Sequence, residues 1–162
     1  MFHMIGHHAQ AIVMAGWAPS HDASPSVRTL AARIINAQRD EIAFMQQWLR
    51  NRLQPLPPVH GMDAGMVMHE VHADTLMPGM LSEAQMHQLE QARGVEFDRL
   101  FLTFMIQHHR GAVVMVQNLF GSYGAAQDET VFKLASDINV DQTTEIARME
   151  RMLFTLEIQG AL

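Results

Sequence analysis

MIGHHAQAIVM, residues 4–14, returns near the other end of the chain as MIQHHRGAVVM, residues 105–115. Met4, Ile5, His7, His8, Ala11 and Met14 each meet the same residue type 101 positions later. A second stretch, LAARIINAQRDEIAFMQQWL (30–49), is answered by LASDINVDQTTEIARMERML (134–153) at a spacing of 104. That match repeats Leu30, Ile34, Gln38, Glu41, Ile42, Met45 and Leu49. Two matches in the same order mark a duplicated two-segment unit.

Apolar spacing makes all four segments helices. Phe97, Phe101, Phe104, His108, Ala112, Met115 and Leu119 recur at intervals of four and three, which is one core-facing stripe. Leu134, Ile138, Gln142, Glu145, Met149, Met152 and Leu156 make the same pattern in the last segment. Pro19 closes the first helix, and Ser24-Pro25 supplies an N-cap with proline in the first turn of the second. Ser82 with Glu83 opens a short helix over 83–92, and Gly94 marks its junction with the long helix that follows. Gly121 and Gly124 separate the last two helices, and Gly160 ends the pattern.

Residues 54–81 break the regularity with Pro55, Pro57, Pro58, Gly61, Gly65, Pro78 and Gly79. A connection this long is unusual in a compact domain unless it is functional or mobile. His60, Met62, Met66, Met68, His69, His72, Met77 and Met80 run through it. The architecture expected is therefore all-α: a ferritin-like four-helix bundle from a duplicated two-helix unit, with a long Met/His-rich crossover linker and a short extra helix. It reads as a single domain over 1–162, with a first helical pair (1–53), the linker (54–81) and a second helical pair (82–162).

Composition narrows the function. The net charge is −6 with no basic cluster, which argues against nucleic acid as the partner. There is no cysteine, so disulfides, thiolate metal sites and cysteine nucleophiles are excluded together. No apolar run approaches the roughly 18 residues of a membrane span. No secretory signal precedes the first helix. The outliers are 14 Met and 10 His, both side chains that bind metals.

On a helix, Met4, His7, Ala11 and Met14 share one narrow face, with His8 one position round from His7. Met105, His108, Ala112 and Met115 repeat this, with His109 beside them. The polar residues of the other two stripes are Gln38 with Glu41 and Gln142 with Glu145, followed by Met45 and Met149. A buried carboxylate needs a partner, and so does a buried imidazole. Facing His7 and His108 against Glu41, Glu145 or the glutamines satisfies both. Di-iron carboxylate bundles carry Glu three residues before such a histidine, and here Met4 and Met105 stand nearest that place. Thioether with imidazole suits Cu(I) first, with Ag(I) as an in vitro surrogate and Cu(II) able to use imidazole and carboxylate. Two plainer readings remain: a structural His/Gln/Glu layer that fixes bundle register, and linker methionines that cap the bundle's open end.

The run F-D-x-L-F-L-x-x-M-I-x-H-H-x-G-A-V-x-M (97–115), preceded by M-P-G-M-L-S-x-x-Q-M (77–86) and followed by Q-x-x-E-I-x-x-M (142–149), resembles the DUF305 family over nearly the whole chain. The resemblance implies a ferritin-like helical protein from a family mostly exported from bacteria, with a periplasmic copper-binding, copper-resistance protein among its cyanobacterial members. It marks His7, His8, Met14, His108, His109 and Met115, with Gln38, Glu41, Met45, Gln142, Glu145 and Met149. Phe101 stands four residues before Met105, whereas the matching place before Met4 would be position zero. The chain thus reads as shortened at its N-terminus relative to the family, which accounts for the missing signal.

The leading expectation is a copper buffer or carrier working in the periplasm or elsewhere outside the cytoplasm. Its site would draw on Met4, His7, His8, Met14, Glu41, Met45, Met105, His108, His109, Met115, Glu145 and Met149, and on Met66, Met68, His69 and His72 of the linker. Its partners would be the metal ion, a metal-transfer protein or a second copy of the chain. A metal-dependent oxidoreductase is the alternative enzyme reading, although no nucleophile, phosphate loop or further acid–base pair accompanies those residues. A non-metal helical interaction module is the third.

Overall fold

The computed structural model describes residues 1–57 and 77–160. Its elements are α1 (Phe2–Gly16), a 3-10 turn (Ala18–Ser20), α2 (Pro25–Asn51), α3 (Glu83–Gln91), α4 (Gly94–Gly121) and α5 (Glu129–Gly160). Five α-helices and no strand are present among the described residues. His60, Met62, Met66, Met68, His69 and His72 lie outside them.

The chain divides into two compact units. The first contains α1, α2, α3 and the start of α4 as far as Phe101. α1 and α2 form a helical hairpin. Ser24 accepts a hydrogen bond from the Val27 amide and Pro25 occupies the first turn, so α2 begins where the sequence predicts. α3 opens on a reciprocal capping box: Ser82 accepts from the Gln85 amide while the Gln85 side chain accepts from the Ser82 amide. Met4, Ile5, Ala11, Ile12, Met14 and Ala15 of α1 are buried, as are Val27, Leu30, Ile34, Ile42, Met45 and Leu49 of α2. Phe97 and Phe101 are fully buried and stacked on each other. Each such side chain contributes about 1.5–3 kcal/mol on leaving water.

His21 ties the α1–α2 connection to the α3–α4 junction. Its Nε2–H donates to the Glu90 carbonyl at 2.8 Å, and its own carbonyl accepts from the Gly94 amide at 2.9 Å. The ring lies against Trp17 on one side and Phe97 on the other. Next to it the buried Asp98 carboxylate accepts from the Ser24 amide at 3.1 and 3.2 Å. Gly94 takes φ +58° here, so the turn into α4 uses a backbone region that glycine enters without penalty. Gln10, itself buried, grips the chain ahead of α3. Its amide accepts from the Leu81 N–H at 2.8 Å and donates to the Leu81 carbonyl at 3.0 Å.

The second unit holds Pro78–Met80, α4 from Leu102 onwards, and α5. α4 and α5 also run antiparallel. Phe120 meets Phe132 near the connection (ring centroids 5.5 Å), and Arg110 donates to Glu150 at 2.7 Å further along. The α4 stripe loosens towards its end. Phe104, His108 and Ala112 are buried, whereas Met115 and Leu119 keep partial exposure. Pro78-Gly79 presses directly on α4 at Gly111. A Cβ on Gly111 would stand 1.9 Å from the Pro78 carbonyl oxygen, and one on Gly79 would stand 2.6 Å from the Gln107 carbonyl oxygen. Gln107 also donates to the Gly79 carbonyl at 3.5 Å.

These glycines separate two outcomes of one substitution. Gly111→Ala forces backbone apart and is expected to destabilise the protein by about 1–3 kcal/mol. Gly6→Ala meets only the tip of Met77 at 3.7 Å, an ordinary contact, and is expected to stabilise by about 0.5–1 kcal/mol. Urea unfolding of both variants reads the difference in sign.

Candidate metal centre

The buried stripes carry polar residues that a helical core has to satisfy. His7, His8, His108 and His109 have no solvent exposure, and Gln38 and Gln142 are almost as deep. In the first unit, His8 Nε2 is hydrogen-bonded to Glu41 Oε2 at 2.6 Å. In the second, His109 Nε2 is hydrogen-bonded to Glu145 Oε2 at 2.8 Å. The neighbouring rings repeat as well: His7–His8 centroids are 6.4 Å apart at 59°, and His108–His109 centroids 6.3 Å apart at 58°. The duplicated sequence thus produces a duplicated local geometry.

Each hydrogen bond fixes the register of its hairpin. One turn back from His8 along α1 is Met4, and one turn on from Glu41 along α2 is Met45. In an antiparallel hairpin those steps reach the same level. Both methionines are buried. Met105 and Met149 follow from His109 and Glu145 in the same way and are fully buried. On the other side of the hydrogen bond, Gln38 falls level with Ala11 and Gln142 with Ala112. The small alanine leaves room for the amide.

The carboxylates meet His8 and His109, whereas the sequence reading faced His7 and His108 towards Glu41, Glu145 or the glutamines. The reason is the width of the buried face. Adjacent helical residues are about 100° apart, and both members of each pair are fully buried, so neither helix presents a single narrow stripe. The available signal was spacing: Met4 to His8 and Glu41 to Met45 are both four residues. Met14 is fully buried on α1, three turns from the start of the helix, while its counterpart Met115 is only partly buried. Met66, Met68, His69 and His72 lie outside the described residues. Of two residues that organise the first unit, Asp98 entered the sequence reading only as part of the family motif and His21 not at all.

Chemically, each centre offers an imidazole, a carboxylate with about 15% exposure, and thioethers one level away. Among the described residues no three His, Asp or Glu side chains converge. Several polar atoms in these layers have no hydrogen-bond partner among the described residues: Nδ1 of His8 and of His109, both amide atoms of Gln38, and Oε1 of Gln142. A buried polar group left without a partner costs about 1–3 kcal/mol. The surface pair Glu96–Arg99 is of a different kind, with hydrogen bonding from Arg99 holding an exposed carboxyl below its ordinary value.

Removing a carboxylate tests the pairing itself. Glu41→Ala leaves the His8 Nε2 side buried and unmatched, and is expected to cost about 1–3 kcal/mol in urea unfolding. Glu41→Gln keeps an acceptor for His8 and should lose less than half of that. The same ranking is expected at Glu145.

The DUF305 family model, described as a domain of unknown function, matches residues 1–153. No protein of curated function matches the chain. A DUF305 protein from Streptomyces coelicolor has a solved structure that is 25% identical with a TM-score of 0.77, over 95% of this chain and 88% of that one. A DUF305 fragment from Deinococcus radiodurans is 33% identical with a TM-score of 0.76, over 94% and 91% of the two chains. CopM in its Cu(II)-bound form is 31% identical with a TM-score of 0.70, over 94% and 91%. CopM has also been solved in Cu(I)-bound, silver-bound and apo forms. No helix among the described residues is long and apolar enough to cross a membrane.

Proposed function

This chain belongs to the DUF305 family, and from that premise we propose that it binds copper as cargo, as a buffer or carrier that limits free copper outside the cytoplasm. One observation carries the reading. Each unit holds a buried His–Glu hydrogen bond with a methionine one turn away on both helices of the hairpin, Met4 and Met45 beside His8–Glu41, Met105 and Met149 beside His109–Glu145. Imidazole with thioether is a soft donor set, which favours Cu(I) and Ag(I) over charge-dense ions such as Fe(II) or Mg(II). Imidazole with carboxylate extends it to Cu(II). CopM, similar over most of both chains, is known with Cu(I), Cu(II) and silver bound.

In this reading His7, His108, Met14 and Met115 form the rest of the donor-rich core. Met66, Met68, His69 and His72 gather the ion along the crossover linker. The four long helices α1, α2, α4 and α5 make one ferritin-like four-helix bundle over 1–162, with α3 as the extra helix. A periplasmic or secreted setting agrees with the description of the Streptomyces relative as secreted. A metal-transfer protein or a second copy would receive the ion.

Competition titration with a chromophoric Cu(I) chelator tests this at pH 7.5 and pH 5. Three proteins are compared: the wild type, Met4→Leu/Met105→Leu, and a linker variant with Met66→Leu, Met68→Leu, His69→Ala and His72→Ala. Each variant is expected to lose at least tenfold in affinity, about 1.4 kcal/mol. Thioether sulfur does not titrate, whereas an ordinary imidazole is largely protonated below about pH 6 and competes poorly for metal. Cu(I) binding should therefore outlast Cu(II) binding on acidification. Equal affinity in all three proteins would overturn the reading.

A further inference from the structure

α5 carries a second apolar stripe, on the face turned away from its own hairpin. Phe132, Val140, Phe154 and Ile158 are 55%, 60%, 64% and 48% exposed. Ser136, Thr143, Ala147 and Arg151 fill the steps between them, so the intervals along the helix run four, four, three, four, four, three, four. Such an eleven-residue repeat lies close enough to 3.6 residues per turn to keep its members on one side of a straight helix for about 40 Å. Phe120 at the end of α4 lies beside Phe132 and widens the stripe there. From this face we infer that the protein pairs with a second copy of itself, α5 against α5, antiparallel about a twofold axis level with Glu145.

The duplication supplies an internal comparison. At the spacing of 104 that relates α2 to α5, the inward residues repeat. The outward ones do not: exposed Arg28, Asn36 and Arg50 of α2 stand where α5 has Phe132, Val140 and Phe154. The outer face of α2 is an ordinary solvated one. The matching face of α5 carries hydrocarbon in place of charge, and a contiguous exposed apolar strip of this kind marks an interaction surface. Its two hydroxyls suit a dry contact. Ser136 donates to the Phe132 carbonyl at 2.8 Å and Thr143 to the Asn139 carbonyl at 2.7 Å, so covering either one strands no donor.

Charge along one flank selects the second copy and the antiparallel sense. Asp137 and Asp141 lie on the N-terminal half of that flank, Arg148 and Arg151 on its C-terminal half. Asp137 is paired with Lys133 of its own helix, while Arg148 and Arg151 make no ion pair among the described residues. In an antiparallel pair Asp137 comes within a turn of Arg151 of the second copy, and Asp141 within a turn of Arg148. The same two contacts recur on the other side of the axis, as a self-complementary interface requires. A parallel pair would set like charges side by side, which selects against it. In the antiparallel register Phe132 meets Ile158 of the second copy, Ser136 meets Phe154, and Thr143 meets Ala147. Each aromatic ring therefore falls against an aliphatic or small side chain. None of the buried His, Glu or Met residues takes part.

Sedimentation equilibrium of the full, metal-free chain over a wide concentration range tests the pairing. Wild type should pass from monomer to dimer as concentration rises. Val140→Glu/Phe154→Glu should weaken the dimer by about tenfold or more, whereas Arg28→Glu/Arg50→Glu on α2 should leave it unchanged. The chain has no cysteine, so introduced thiols report the orientation. Oxidised glutathione should cross-link a mixture of Ser136→Cys chains with Phe154→Cys chains, and neither variant by itself. A wild type that stays monomeric at every concentration, a dimer insensitive to the two α5 glutamates, or a cysteine mixture that cross-links no better than its components would overturn the pairing.

Discussion

A buried imidazole hydrogen-bonded to a carboxylate across a helical hairpin is the constraint from which each unit follows. Apolar stripes alone would let α1 slide along α2, or α4 along α5, by a turn at little cost, because one aliphatic contact resembles the next. The His8–Glu41 and His109–Glu145 contacts do not permit it. A shift of one turn would bury two polar groups against hydrocarbon. With the register fixed, the methionines at Met4 and Met45, and at Met105 and Met149, are held at matching levels, and the alanines stand opposite the glutamines. The register and the levels of the buried methionines thus come from one interaction. A polar register layer and a metal centre need not be rival descriptions of these residues.

That overlap bears on how a soft ion could be held without a dedicated cluster. Sites for hard cations need several oxygens converging on one point, which a hairpin core provides only at high desolvation cost. Sulfur ligands carry no such cost, because a thioether is already at home in a hydrophobic interior. A methionine-rich helix pair can therefore stay folded around its donors whether or not an ion is present. Domains whose folding depends on the ion are the contrasting case.

The scaffold was largely legible in the sequence because its signals are local. Repeats at fixed spacing, three- and four-residue apolar intervals, and the Ser24-Pro25 cap all lie within a few residues of what they specify. The start of α3 at Ser82-Glu83 was legible too, and Ser82 forms its capping box with Gln85. What stayed hidden depends on distant partners. His21 meets Glu90 across 69 positions, and Ser24 meets Asp98 across 74. No periodicity encodes such pairings. The choice of His8 over His7 needed the angle at which two helices face each other, and a wheel drawn for one helix lacks that angle. Gln10 lies within an apolar run, and the Leu81 backbone 71 positions away gives its amide two partners.

The grip on the chain ahead of α3 has a meaning for the duplication itself. Where the first copy reads Gly6 and Gln10, the second reads Gln107 and Gly111: the two residue types have traded places one turn apart. Gln10 holds the Leu81 backbone from its own unit, and Gly111 leaves the gap that Pro78-Gly79 fills in the other. The copies are thus keyed differently, like two locks cut from one blank. A hybrid chain carrying the first octad, MIGHHAQA, in place of the second would drive a glutamine side chain into the Pro78 carbonyl. Sameness of the histidines and methionines coexists with a symmetry broken one residue before each histidine pair and two residues after it. That break gives each half its own address in a chain that otherwise says the same thing twice.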